Sequence, residues 1–305
     1  MFVASLLLWG IGALLGVSSS TPTFLSALGI NFASDVVARL FSFLSLVAVA
    51  LLLNHLYLFE RRIHWLSSVF LWLSSVMMFV HVDYLSCFSS LLLMMAMSQL
   101  LSCVHESGQE RALFGAFAFL SFSSLFLLQF AYVLPLFVAY IFIARISNVR
   151  NVLSALLGVV TPYWLLFGLV YAFPSLGPLL VPLKICYANM VSGADLSLSP
   201  LLYLVLAVEG LIYVVAVCNF ATSLFPAKPL LRRRLLFIII LNIYLFAISF
   251  FVPQDFVMLF VWRLPGVALL ASYAFAMKIT KLSNIYFITL NILWLATATL
   301  CLWIG

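Results

Sequence analysis

Six residues have types and spacings from which chemistry can be built: Asp35, Arg39, His81, Asp83, Glu209 and Arg263. Asp35 and Arg39 stand one helical turn apart in INFASDVVARL. Such an i,i+4 pair is a common salt bridge at a helix start. At the mouth of a membrane cavity it can also hold a carboxylate as a general base, or help bind a divalent metal and a diphosphate. Asp35 is therefore the catalytic candidate and Arg39 a substrate-binding one. His81 and Asp83, in FVHVDYL, have a metal-like spacing that a turn between two helices explains equally well. No ligand set defines a metal site, and the cofactor is left open, a divalent metal being what Asp35 would suit.

Glu209 lies in YLVLAVEGLIYVV and Arg263 in LFVWRLPG, both within long apolar runs. Ionisable groups inside a membrane are costly and usually functional. Glu209 falls about nine residues from the outer end of its run, or roughly 13 Å deep at about 1.5 Å per residue. Arg263 lies about seven residues from the outer end of its own run, so the two can pair. A structural Glu–Arg pair and a charged lining of a passage are both compatible with that depth. Pro265 and Gly266 directly follow Arg263. They would loosen the helix and free carbonyls, which favours a lined cavity.

Such groups need elements to hold them, and composition says what those are. Hydrophobic residues make up 67% of the 305-residue chain and charged residues 7%. Soluble domains run at about 45–50% apolar and about 25% charged. Lipid must therefore solvate most of this chain, and the expected fold class is all-α, a polytopic transmembrane helical bundle forming one integral membrane domain over 1–305. Spans of mostly apolar residues fall at 2–17, 37–58, 65–81, 85–104, 112–129, 131–145, 152–172, 200–222, 235–252, 256–277 and 284–304. Phe2 to Val17 lacks a basic region before it, so a retained first span is expected over a signal peptide. The 131–145 segment is short and contains Pro135, so it reads either as half of a pair with 112–129, hinged near Gln129-Phe130, or as a separate crossing. Prolines at 174, 178, 182 and 200 divide the 173–199 segment, which reads as an interfacial or re-entrant stretch.

Charge then sets orientation. With the N-terminus in the cytoplasm, the inner connections carry Arg61, Arg62, Arg111, Arg145, Arg150, Lys228, Arg232, Arg233, Arg234, Lys278 and Lys281. That is eleven of the 14 basic residues, as the positive-inside rule requires. Asp35, Asp83, Asp195 and Asp255 then face outward. Keeping 131–145 as its own crossing preserves this sorting of the later charges.

Other chemistries are missing their motifs. The basic residues have no interleaved aromatic platform, so nucleic acid is not an expected partner. HESGQ at His105–Gln109 lacks the second histidine of a zincin, and neither GxSxG nor a P-loop occurs. The five cysteines show no CxxC and sit in or beside apolar runs, where a thiol behaves as a small hydrophobe. GALLG, Gly12 to Gly16, fits a helix-packing face. Paired serines such as Ser74-Ser75 and Ser123-Ser124 can bond to their own helix carbonyls.

The stretch ERALFGAFAFLSFSSLFLLQFAYVLPLFVAYIFIARISNVRNVLSALLGVVTPYWLLFG, Glu110 to Gly168, covers 59 of 305 residues. Its order of basic residue, small-rich span, break, LPLF span, basic loop and LLGVVTPYW resembles the central helices of GT-C type membrane glycosyltransferases. It also resembles an uncharacterised multi-span inner-membrane family of Bacteroidota. The GT-C resemblance implies an N-in first span, polyprenyl-linked sugar substrates and an essential carboxylate in the first outer loop, a place that Asp35 occupies. The chain departs from that pattern in its short first loop, its single carboxylate and its lack of a large outer domain. The expectation is an inner-membrane protein handling a lipid-linked sugar or envelope precursor at the outer face, with the bilayer and a polyprenyl-linked substrate as partners. The alternatives are a transporter or flippase using Glu209 and Arg263, and a non-catalytic scaffold subunit.

Overall fold

The computed structural model describes residues 35–55, 66–75, 84–103, 108–173, 200–224, 229–252, 255–277, 288–297 and 299. The expected first span at 2–17 and most of the 173–199 segment lie outside them. The described residues form helices joined by turns, with no strand among them, and the fold is all-α. In chain order the helices are α1 Asp35–His55, α2 Leu66–Ser74, α3 Tyr84–Ser102, α4 Gln109–Phe126, α5 Leu134–Ile143, α6 Val149–Ala172, α7 Pro200–Leu224, α8 Pro229–Phe251 and α9 Phe256–Met277, followed by α10, Ile288–Thr297. Among the described residues two stretches are long and apolar enough to cross a membrane, Val149–Ala172 of α6 and Leu231–Phe251 within α8.

The chain divides into two compact units. The first holds α1, α2, α7, α8, α9, α10 and the start of α3, within 1–19, 35–88 and 194–305. Its hub is α9, which packs against α1, α2, α7 and α8. From Phe256 to Ser272 almost every α9 residue is buried. A helix enclosed on all sides must be apolar all round, and FVMLFVWRLPGVALLAS is, apart from Arg263 and the terminal Ser272. Pro265 lies inside α9, and the helix continues through it despite the lost backbone donor. Helix α10 meets α2 where the Trp294 indole donates to the Trp72 carbonyl at 3.3 Å.

The second unit comprises 20–34 and 89–193, with most of α3 and all of α4 to α6. Its frame is the α4–α6 contact, whose partners advance together along both helices. Ser154 donates to the Glu110 carbonyl, Ser121 to the Val159 carbonyl, and the Ser124 and Tyr163 hydroxyls bond at 2.6 Å. The two helices are therefore parallel, and the segment between them must carry the chain back. That segment is a 3-10 turn at Leu128–Tyr132 followed by α5. At about 2.0 Å per 3-10 residue and about 1.5 Å per α residue it spans roughly 25 Å. The structure thus shows a distinct return segment in place of one kinked element. Gly158 lets the parallel helices touch, since a Cβ there would lie 2.7 Å from the Phe114 carbonyl oxygen and 3.1 Å from the Ala118 nitrogen.

The serine pairs behave as their helical setting requires. Ser74 and Ser75 bond to the carbonyls of Leu71 and Trp72, and Ser123 and Ser124 to those of Phe119 and Ser121. These bonds satisfy hydroxyls that are buried inside the protein. Among the described residues Cys87 and Cys103 are buried thiols, the latter donating to the Leu100 carbonyl, and Cys218 is exposed.

Candidate functional site

The charged centre of the first unit forms where α7, α8 and α9 meet. Glu209 comes from α7, Ser249 from α8 and Arg263 from α9. Arg263 Nε donates to Glu209 Oε1 at 3.0 Å, and a terminal guanidinium nitrogen donates to Oε2 at 2.7 Å. The other terminal nitrogen donates to Ser249 Oγ at 2.7 Å, and that hydroxyl in turn donates to the Leu245 carbonyl. The planar fork of an arginine matches a carboxylate in this bidentate way, which a lysine cannot reproduce.

The pair is sealed: Arg263 is 1% exposed and Glu209 2%. Around it stand aromatic rings. The guanidinium carbon lies 5.2 Å from the centroid of Phe246, 5.9 Å from Phe256 and 5.8 Å from Phe260. These distances are within cation–π reach. Phe256 and Phe260 are stacked, one helical turn apart on α9, so the same face that presents Arg263 also supplies its wall. Gly210, beside Glu209, lets the Phe246 ring approach α7: a Cβ there would be 3.2 Å from the ring. Desolvating two charges costs several kcal/mol per ion, and only good geometry with further hydrogen bonds offsets it. The bidentate contact, the Ser249 bond and the rings supply those terms.

One helical turn and more along the same faces the contact stays polar. Asn242, one heptad before Ser249 on α8, is 2% exposed, and its amide donates to the Ile238 carbonyl. Its carboxamide fills the space that a side chain at position 266 would need. The Pro265-Gly266 pair therefore does not open a cavity, contrary to the expectation from sequence: Gly266 permits a close α8–α9 crossing, and Asn242 occupies the room it leaves. Tyr213, one turn from Glu209 on α7, donates to the Ile239 carbonyl.

Of the residues singled out by sequence, the structure brings together Glu209 and Arg263. Asp35 opens α1 and Arg39 follows one turn later on the same helix; their side chains lie outside the described parts. His81 and Asp83 also lie outside the described residues. Among the described residues no cluster of three His, Cys, Asp or Glu side chains forms. Ser249, Phe246, Phe256, Phe260 and Asn242 are parts of the centre that the sequence reading did not single out. Serines and phenylalanines recur throughout the apolar runs, so only Asn242, an amide in the middle of FIIILNIYLF, carried a signal of its own. The Arg232–Arg234 run does not act as one surface, because Arg232 is exposed whereas Arg234 is buried.

Comparison of the chain with protein-family models, with curated proteins and with solved structures gives no match.

Proposed function

We propose that this chain is a polytopic protein of the cell inner membrane that moves or presents a lipid-linked, phosphate-bearing envelope precursor, acting as a carrier or flippase through the Glu209–Arg263–Ser249 centre. The membrane reading is supported by α6, an apolar helix whose residues stay largely exposed along its length. The buried core helix of a soluble protein would not be so. The eleven-span layout with an inside N-terminus and inner-facing cations belongs to the same proposal.

The observation that carries the carrier reading is the closed ion pair at the meeting of three helices. An arginine held by a carboxylate and a hydroxyl can exchange both for the oxygens of an incoming phosphate, to which its fork is equally suited. Glu209 then acts as the internal competitor that closes the centre when substrate leaves. The GT-C-like transferase reading places the chemistry at Asp35, whose side chain lies outside the described parts.

Flux of a polyprenyl-diphosphate sugar across proteoliposomes containing the full chain separates the two. The carrier reading expects flux to collapse in Glu209→Gln and to survive in Asp35→Ala. Unchanged flux in Glu209→Gln, or sugar transfer that is lost in Asp35→Ala, overturns it.

A further inference from the structure

We infer that the second unit carries a binding site for an anionic phospholipid headgroup, formed by Arg111, Arg145 and Arg150 at one end of the α4–α6 pair. The site rests on the membrane reading above but is independent of the Glu209–Arg263 centre.

The three arginines come from separate segments: the start of α4, the turn after α5 and the start of α6. Because α4 and α6 are parallel and α5 returns between them, these segments meet at the same end. Asn151 fastens them. Its amide nitrogen donates to the Ile146 carbonyl at 2.8 Å and to Gln109 Oε1 at 3.3 Å. Asn151 is 3% exposed, although both of its chain neighbours are exposed. A buried carboxamide thus ties the residue after Arg145, the residue next to Arg150 and the first residue of α4, two before Arg111.

All three arginines are exposed, and none forms an ion pair among the described residues. Arg145 carries a further mark. It has φ 59°, the left-handed region, at the position following the α5 terminus where glycine is the usual residue. The Ile146 and Arg145 amides close the helix end onto the Ile141 and Phe142 carbonyls. The chain therefore keeps a cation at a place where the backbone favours glycine.

What fits this surface is a phosphate attached to an acyl chain. Directly beyond the arginines, Val149, Leu153, Leu156 and Leu157 of α6 are exposed, at 77%, 54%, 56% and 60%. An apolar strip continuous with a cationic end has the two-part chemistry of a lipid with a negatively charged headgroup. A free phosphate would use the arginines but leave the strip without a partner.

The test is native mass spectrometry of the full chain, in neutral detergent, with equal amounts of phosphatidylglycerol and phosphatidylcholine. The expected result is strong retention of phosphatidylglycerol, falling about fivefold for each arginine removed, as about 1 kcal/mol per basic residue implies. Arg145→Gly is the decisive variant, because glycine suits that backbone and the protein should melt no lower than the wild type. Arg111→Gln/Arg150→Gln should lose preference further. Equal retention of the two lipids, an unchanged ratio in Arg145→Gly, or complete displacement of the lipid by millimolar inorganic phosphate overturns the inference. Alkaline carbonate extraction separates its failure from that of the membrane reading: a chain that stays in the pellet without lipid preference loses only this site.

Discussion

Removing one partner of the buried pair should cost far more than removing both. In Glu209→Leu, Arg263 keeps Ser249 and the three rings but loses both carboxylate bonds and its counter-charge in a site 1% exposed. Breaking a buried pair in this way costs about 3–5 kcal/mol. Arg263→Met strands Glu209 similarly, with a cost in the same range of about 3–5 kcal/mol. Replacing both by apolar residues of similar volume, Glu209→Leu with Arg263→Met, is expected to be near neutral or stabilising by about 1–4 kcal/mol. The four proteins form a double-mutant cycle, read by reversible unfolding of purified protein in mixed micelles. Neutral hydrogen bonds between membrane helices couple by only about 0.6 kcal/mol, with a maximum near about 1.7. A coupling above about 3 kcal/mol therefore identifies a sealed ion pair in which each charge depends on the other. Additive single variants, each costing less than about 1 kcal/mol, would refute the sealed geometry and with it the account of Arg263 as a satisfied charge.

Two further predictions concern the helix crossings. Gly158→Val places its side chain against backbone atoms of α4, which cannot rotate away. The α4–α6 pair should lose about 1–3 kcal/mol or more in the same unfolding assay, whereas an unchanged midpoint would mean the helices are not in contact there. Gly266→Ala should cost about 1–3 kcal/mol by overlap with the Asn242 carboxamide. Part of that loss should return in Gly266→Ala/Asn242→Ala, and failure of the second change to help would place the clash elsewhere.

Much of the helical framework was legible from apolar runs and their breaks. Proline and charge punctuate the chain, and the bounds read at 256–277 match the helix α9, Phe256–Met277. The break between 112–129 and 131–145 was also visible, through Pro135 and the apolar-polar junction at Gln129. Its meaning came only from the cross-helix bonds that set α4 parallel to α6. The Glu209–Arg263 pair was readable because two charges in a nearly uncharged chain stand at similar depths. Ser249 and the phenylalanine wall were not, since composition gives no way to choose among 29 phenylalanines. The misreading of Pro265-Gly266 has a simple cause. A glycine marks a position without a side chain, and sequence cannot tell whether solvent or a neighbour's Asn242 takes that space.

The central claim, a helical chain crossing a bilayer with its cations inside, is tested most directly by the two ends of α6. In a cysteine-free background, single cysteines at Arg150 and at Tyr171 are treated in intact cells with a membrane-impermeant maleimide. The account predicts labelling at Tyr171→Cys without permeabilisation and at Arg150→Cys only after it. Labelling of both positions in intact cells, or of Arg150→Cys alone, would contradict it.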